Sequence, residues 1–481
     1  MAQIADRGKA PQVLTPDICV IGAGPGARAA AMGAAAAGAR TALVMPEHAD
    51  GHPFHDGGVP AKALIAAARR FACARDSAVF GIDGTAVTAD FGKLREHLRD
   101  VTAALAPNAS AARLGGLGVN VFTGGARFAD AHMLTVGETT IAAKHYIVAA
   151  GARPAIPLIP GLDTVTALTE ETVLGLDGCP RQLIVIGGGA TGLELAQAFR
   201  HLGAGVTLVE ARRPLGEEDP EAVEVVLTQF AREGIEVLAD TAIREVGRGG
   251  DGIRLTLETP AGARTIEGSH LLVAAGRRPD IDGLGLDAAG IKFNADGVIV
   301  DRRLRTTNPK VFAIGEAIGG PRAAHAAEYQ AGVVLGNTVL RLPAKAVDAL
   351  PRVTFTAPEL AQTGLTEAQA MQRHRRIRVL RWALHDNDRA QIERDPCGHI
   401  KVIADTRGRI LGATLVSTDA GEMISAWTLA VSRKLDIGAM AELAVPYPTR
   451  GEVGKRAAAT YFSPGLKRPL LQRMMRILRR A

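Results

Sequence analysis

The stretch Ile18-Cys19-Val20-Ile21-Gly22-Ala23-Gly24-Pro25-Gly26-Ala27 decides the fold. An apolar run, traced back to Val13, ends in closely spaced glycines and gives way to an alanine-rich segment with helical character to Ala39. A second apolar run follows from Arg40 to Met45. This order predicts a β-α-β unit whose turn reads GxGxxA. The glycines permit a tight turn and let a pyrophosphate approach the helix N-terminus, where free N–H groups and the helix dipole favour an anion.

The pattern recurs further on. Gln182–Ile186 is a second apolar run, opening into Gly187-Gly188-Gly189-Ala190-Thr191-Gly192. A helix is expected through His201, then a strand over 205–209 ending at Glu210. An acid in that position can bond both hydroxyls of an adenosine ribose. Two such units predict two dinucleotides, FAD and a nicotinamide cofactor; two tight turns without ligands are the plainer alternative. Two more stretches look alike, Tyr146-Ile147-Val148-Ala149-Ala150-Gly151-Ala152-Arg153-Pro154 and Leu271-Leu272-Val273-Ala274-Ala275-Gly276-Arg277-Arg278-Pro279. Each reads as a buried strand, then small residues and a proline-set turn. Val311-Phe312-Ala313-Ile314-Gly315-Glu316-Ala317 delivers an acid at the end of another apolar run.

At 481 residues the chain has room for about three domains. Hydrophobic residues make up 47% and charged residues 22%, as in a soluble globular protein. No apolar run approaches the roughly 20 residues of a membrane-spanning helix. Met1 to Thr15 has no secretory signal pattern, so a cytoplasmic location is expected. Aromatics amount to only 4%, against stacking on single-stranded nucleic acid. Cys19, Cys73, Cys179 and Cys397 lie far apart without metal-ligand spacing and read as buried structural thiols.

The ordered motifs GxGxxA, AAGARP, GGGATGLE, AAGRRP and AIGEA resemble the pyridine nucleotide-disulfide oxidoreductases, which include dihydrolipoamide dehydrogenase, glutathione reductase and mercuric reductase. Val353-Thr354-Phe355-Thr356-Ala357-Pro358-Glu359-Leu360, with Gly364-Leu365-Thr366-Glu367, looks like the opening of that family's dimerisation domain. The resemblance runs from Asp17 to Tyr461. It implies an α/β fold with two Rossmann-like dinucleotide-binding domains, for FAD and NAD(P), plus a C-terminal α+β dimerisation domain, assembled as a homodimer. The expected boundaries are 13–160 with 285–345 for FAD, 161–284 for NAD(P), 346–460 for dimerisation and 461–481 for a basic tail.

Carried over by motif, FAD lies against Gly22, Gly24, Gly26, Ala27, Glu47, Lys62, Ala126, Gly151, Gly315 and Glu316. The nicotinamide nucleotide lies against Gly187, Gly189, Gly192, Glu194, Glu210 and Gly276. Lys62 and Glu194 match the lysine and glutamate that pair beside the flavin N5, and with Tyr447 and Glu452 they form the expected catalytic set. The chain departs from the family at several places. Pro53 and Gly58 fall where the redox cysteines stand, separated by four residues. Thiol–disulfide exchange needs a thiolate, so disulfide reduction is not expected. Tyr447 replaces the usual histidine, as in the mercuric reductase branch, while Glu452 remains. With a phenol near pKa 10, Tyr447 suits hydrogen bonding better than general-base work. The tail lacks the paired cysteines that receive mercury. Met45 stands where an acid would hold the FAD ribose, with Glu47 two residues on as a substitute, and Glu316 replaces an aspartate.

Glu210 would repel a 2′-phosphate, so NADH is preferred over NADPH, although Arg212 and Arg213 follow at once. The loop holding Glu47, His48, Asp50, His52, His55 and Asp56 reads as solvated, and no metal is expected. From Pro464 to Ala481 there are six bases and no acid, which accounts for the net charge of +6. Leu470, Leu471, Met474, Met475, Ile477 and Leu478 share one face of a helix there. Such a basic amphipathic helix suits an anionic membrane surface or a protein partner, and no nucleic acid is expected. The resulting expectation is an FAD-dependent NADH oxidoreductase that passes electrons to a small non-disulfide acceptor, quinone- or diaphorase-like, with a peripheral position at the inner face of the membrane. A non-catalytic nucleotide-binding or sensor descendant is the alternative, and nicotinamide nucleotide transhydrogenation is a variant of the first.

Overall fold

The computed structural model describes residues 13–47, 58–82, 87–250, 252–320, 323–347 and 349–463. Pro53, the histidines at 48, 52 and 55, and the segment 464–481 lie outside them.

The first domain is built on a five-stranded parallel sheet in the order Val311–Ala313, His145–Val148, Ile18–Ile21, Thr41–Met45, Val119–Thr123. Its central strands are largely apolar, beginning with the polar His145 and Thr41, because helices and connecting segments cover both faces. The predicted 13–21 strand is interrupted. Pro16 cannot donate to a ladder, so Val13–Leu14 turns away and pairs with Thr139–Ile141 in a separate four-stranded sheet. The helix α1, Pro25–Ala36, ends three residues earlier than Ala39, just ahead of Gly38 with φ +81°. Alanine and glycine fill α1 because it lies against the helix Ala324–Thr338: a Cβ on Gly26 would stand 2.7 Å from that of Ala327.

The second domain repeats the plan. Its parallel sheet runs Ala167–Leu168, His270–Val273, Gln182–Ile186, Gly205–Val209, Glu236–Leu238, joined by an antiparallel meander over Ala242–Gly249, Gly252–Thr259 and Gly262–Gly268. The two similar proline-ended stretches are partners: Ala152–Pro154 pairs antiparallel with Arg277–Pro279, so exit from one sheet and return from the other form one two-stranded connection.

The third domain carries a five-stranded antiparallel sheet, Arg352–Thr354, Glu359–Gly364, Ile410–Ser417, His399–Asp405, Ile377–Ala383. One residue from each strand forms a straight row across it: Arg352, Gln362, Thr414, Lys401, Arg381. The second domain answers these bases with acids at the start of its helix Pro220–Arg232. Glu218 lies 2.8 Å from Arg352, Asp219 2.9 Å from Lys401, and Glu221 2.8 Å from Lys401 and 2.7 Å from Arg381.

The cysteine expectation holds only for Cys19, a buried thiol pushed up to about 12 by burial. Cys73 and Cys179 are exposed, on the outer face of a helix and in a connecting segment, and Cys397 is half-buried. All four are unpaired.

Lys401 and Asp219 are 3% and 1% exposed, so Lys401→Met leaves a buried carboxylate short of its counter-charge. Urea unfolding of that variant should show a loss of about 3–5 kcal/mol. Arg381, with help from Lys401, lowers the Glu221 carboxyl from its usual 4.5 to about 2. A depressed acid stabilises the fold fully above its unfolded value and loses that contribution as pH falls through the folded one. Stability should therefore decline between pH 4.5 and about 2, and Glu221→Gln should flatten that part of the profile.

Candidate active site

The two glycine turns are built alike at their first two glycines. Gly22 takes φ +135° and a Cβ there would lie 2.0 Å from the Ala149 carbonyl oxygen; Gly187 takes φ +113° and would meet the Ala274 oxygen at 2.3 Å. Neither place admits a side chain. Gly24 and Gly189, the N-cap residues of α1 and of the helix Ala190–His201, face open space where a Cβ would stand. Gly192 closes the second turn, its Cβ position 1.9 Å from the Gly187 oxygen. Buried Ala27 sits in the first turn of α1.

Glu210 follows the strand Gly205–Val209 and folds back over its own glycine turn. One carboxylate oxygen accepts from the Gly188 amide at 2.6 Å and the other from the Arg212 amide at 2.9 Å. The acid is thus preset beside the open face of Gly189. In the first domain the corresponding strand ends in Met45, buried against Ile18, Val20 and Leu43, and Glu47 stands exposed two residues later. Gly124 donates to the Met45 carbonyl at 2.9 Å, which brings Ala126 to the same end of the sheet.

A helix over Val59–Arg75, labelled α2, begins after Gly58, whose φ of +78° suits glycine and whose Cβ position faces open space. Lys62 projects from its first turn and pairs with Glu194 of the helix Ala190–His201, labelled α3. Glu194 is only 5% exposed, while the Lys62 side chain retains 42%. The second oxygen of Glu194 accepts from the Phe355 amide at 2.7 Å, and the Lys62 ammonium lies 4.6 Å from the centre of the Phe355 ring. Phe355 therefore belongs to this site, though its sequence signal marked only the start of a domain.

Docking continues along that segment. Gln197, one turn after Glu194, exchanges two bonds with Ala357, at 2.7 and 2.8 Å. Arg69 of α2 donates to the Thr356 carbonyl at 2.6 Å and to Glu359 at 2.8 Å.

Glu316 follows Gly315, whose amide donates to Gln330 at 2.6 Å. Its carboxylate lies 3.3 Å from Nε of Arg277, and Arg277 also contacts Glu170 at 2.5 Å and Glu171 at 3.5 Å. Arg277 replaces the alanine of the first proline-ended stretch, a difference that was the only available signal for this clamp. Gly151 and Gly276 turn the chain at φ +75° and +122°.

Tyr447 and Glu452 lie apart from the Lys62 pair in contact terms. Tyr447 is 70% exposed and donates to Asp388 at 2.6 Å; Glu452 opens the helix Glu452–Ala459 and pairs with Arg456 at 2.7 Å. Among the described residues, no group of three or more His, Cys, Asp or Glu could hold a metal ion. Nor is any helix among them long and apolar enough to cross a membrane.

Comparison with known proteins agrees with this architecture. Residues 16–331 match the pyridine nucleotide-disulphide oxidoreductase family and residues 350–458 its dimerisation domain. A mercuric reductase of Streptomyces lividans is 37% identical over 457 residues, 93% of this chain and 96% of that one. A dihydrolipoyl dehydrogenase of Geobacillus stearothermophilus is 33% identical over 449 residues, 91% and 94% of the respective chains. The crystal structure of LpdA from Mycobacterium tuberculosis superposes with a TM-score of 0.84 at 26% identity, covering 93% of this chain and 99% of that one. The chain belongs to the pyridine nucleotide-disulphide oxidoreductase family. Members are oxidoreductases that use FAD and a pyridine nucleotide, and the open cradles at Gly24 and Gly189 fit the pyrophosphates of such ligands. The dimerisation domain indicates a homodimer.

The Asp388 carboxylate raises the Tyr447 phenol above its usual 10. Ultraviolet titration should place it back near 10 in Asp388→Asn, with Tyr447→Phe identifying which phenol moved.

Proposed function

We propose that the protein is an FAD-dependent oxidoreductase that prefers NADH and delivers electrons to a small acceptor other than a disulfide, in the manner of a quinone reductase or diaphorase. The observation that carries this reading is the Lys62–Glu194–Phe355 arrangement at the start of α2, combined with glycine at position 58. FAD held here would supply the redox chemistry, hydride acceptance from NADH and release of two electrons to the acceptor. Lys62, half-exposed and held by a buried carboxylate, presents a fixed positive charge where the isoalloxazine would gain negative charge on reduction. Glu194 orients that ammonium, and Phe355 supplies both a donor to Glu194 and a ring face to the cation. Gly24 and Gly189 admit the pyrophosphates, and Glu210 meets the adenosine ribose of the nicotinamide nucleotide.

The resemblance puts Pro53 and Gly58 at the cysteine positions, and none of the four cysteines stands within a CxxxxC pair anywhere in the chain. Gly58 leaves open space at the head of α2, and in a dimer of the family type Tyr447 would bound that space from the second copy. The names of the relatives, mercuric reductase and dihydrolipoyl dehydrogenase, point to metal and disulfide chemistry that needs thiols in this place. The basic segment 464–481 adds a peripheral membrane position to the reading.

Purified protein should be yellow, and anaerobic NADH should bleach it. Lys62→Met should keep the flavin and slow bleaching about a hundredfold, the scale expected for removing one preorganised charge. Bleaching at the parental rate would contradict the assigned role. A protein that stays colourless with added FAD would favour a non-catalytic descendant, an outcome to which buried Met45 and the Arg277-bound Glu316 are relevant. Quinones and ferricyanide should reoxidise the flavin, whereas fast turnover with lipoamide or glutathione disulfide would sink the proposal. Thio-NAD as acceptor reads the transhydrogenase variant. Glu210→Ser removes the charge facing a 2′-phosphate and leaves Arg212 and Arg213, so the ratio of kcat/KM for NADPH over NADH should rise about tenfold.

A further inference from the structure

We propose that one end of the dimerisation-domain sheet is a docking surface for an anionic lipid bilayer, formed by folded arginines. The strand Ile377–Ala383 begins where its neighbour His399–Asp405 ends, with Ile377 opposite Asp405. This register brings the basic run 373–376 beside the turn 405–408. His374, Arg375, Arg376, Asp405, Thr406 and Arg407 line an open depression of about 560 Å³ there. Arg373, Arg375, Arg376 and Arg407 are exposed. Among the described residues none of these four guanidinium groups makes a salt bridge.

Two acids stand close by, and both are engaged. Asp405 accepts from the amides of Arg407 and Arg409, at 2.8 and 3.0 Å. Asp436 accepts from the Gly438 amide at 2.8 Å. The turn is pinned as well: Gly408 takes φ +93°, and a Cβ there would lie 2.2 Å from the Asp436 carboxylate. The arginines therefore project from a rigid ledge whose acids bond to backbone rather than to them.

The last described residues of the chain lie at this ledge. Tyr461 donates to the Thr406 carbonyl at 3.1 Å, and its ring lies 4.0 Å beneath the Arg378 guanidinium. Tyr461, which the expected boundary at 460 assigns to the tail, thus packs on the body. Beyond Ser463 the sequence supplies Lys467, Arg468, Arg473, Arg476, Arg479 and Arg480, with six large apolar residues among them and no acid. Basic charge on a rigid ledge, continued by a segment rich in both bases and Leu, Ile and Met, matches a surface that is anionic above and hydrocarbon below. A single strand of nucleic acid would call for free ring faces at the site; Tyr461 is covered by Arg378 and packs edge-to-face with Phe462 at 5.2 Å between centroids, so the two rings engage each other rather than form a stacking platform.

The proposal adds a folded contact to the tail-based membrane reading, and the test separates the two from each other and from the redox reading. Full-length protein is sedimented with vesicles of phosphatidylcholine alone or mixed with phosphatidylglycerol, at low and high salt. Binding should require phosphatidylglycerol and weaken with salt. The triple variant R375Q/R376Q/R407Q should lower partitioning about a hundredfold, at about fivefold per charge. It should retain parental NADH bleaching and thermal stability, since these side chains lie outside the catalytic and nucleotide sites. Truncation after Ser463 should leave weaker binding that still depends on phosphatidylglycerol. Parental partitioning in the triple variant overturns the ledge, whatever the tail does. Equal binding to neutral vesicles, or displacement from the vesicles by duplex DNA at equal salt, overturns the lipid assignment.

Discussion

A carboxylate almost wholly removed from water persists only where donors meet it, and Glu194 meets two. Lys62 approaches from α2, 132 residues earlier in the chain, and the Phe355 amide from the opening of the third domain, 161 residues later. One buried charge therefore ties together three segments that are distant in sequence. The contacts around it run in sequence along a single stretch: Phe355 to Glu194, Thr356 to Arg69, Ala357 to Gln197, Glu359 to Arg69. Hydrogen bonds to charged groups contribute about 1.5–3 kcal/mol each, so this junction is strong as well as specific. It also fixes the ammonium of Lys62, and any chemistry that relies on that charge depends on all three domains being in place.

A second junction joins the same two domains a few residues away, at the start of the helix Pro220–Arg232. The row Arg352–Gln362–Thr414–Lys401–Arg381 crosses the whole antiparallel sheet and receives Glu218, Asp219 and Glu221. These acids lie a few residues beyond Glu210, and Leu215 between them bonds back to the Gly188 carbonyl at 2.9 Å. The loop that shapes the second nucleotide cradle is thus held at one end by its own glycine turn and at the other by the third domain. The middle domain thus meets the third at two places, through Glu194 and through Glu218, Asp219 and Glu221, which suits a protein in which two bound nucleotides must meet in a fixed relation.

Much of this was readable in the sequence where the constraint is local. Gly22 and Gly187 are legible because a tight turn against a neighbouring carbonyl admits no Cβ. The apolar runs at 18–21, 41–45, 182–186 and 205–209 are legible because parallel strands covered on both faces are nearly continuous in apolar residues, with Thr41, Gln182 and Thr207 the few polar members. The break at Pro16 was legible too, in the missing N–H, yet the apolar run across it outweighed that signal in the predicted strand. Burial of the cysteines was misjudged at Cys73, Cys179 and Cys397, because exposure of a small side chain depends on what packs over it rather than on its chemistry.

The sequence by itself determined the family, the two glycine cradles, the pairing of Lys62 with Glu194 by resemblance, and the concentration of net charge in the last residues. These follow from motifs whose physics is complete within about thirty residues or from an order of motifs along the chain. Only the tertiary structure decided that Phe355 completes the Glu194 site, that Arg277 clamps Glu316, that Glu210 is preset by Gly188, and that Arg375, Arg376 and Arg407 share one ledge beside Tyr461. Each of those contacts joins residues whose spacing carries no period. Strand register and domain docking place them, and both are set by the packing of the whole chain.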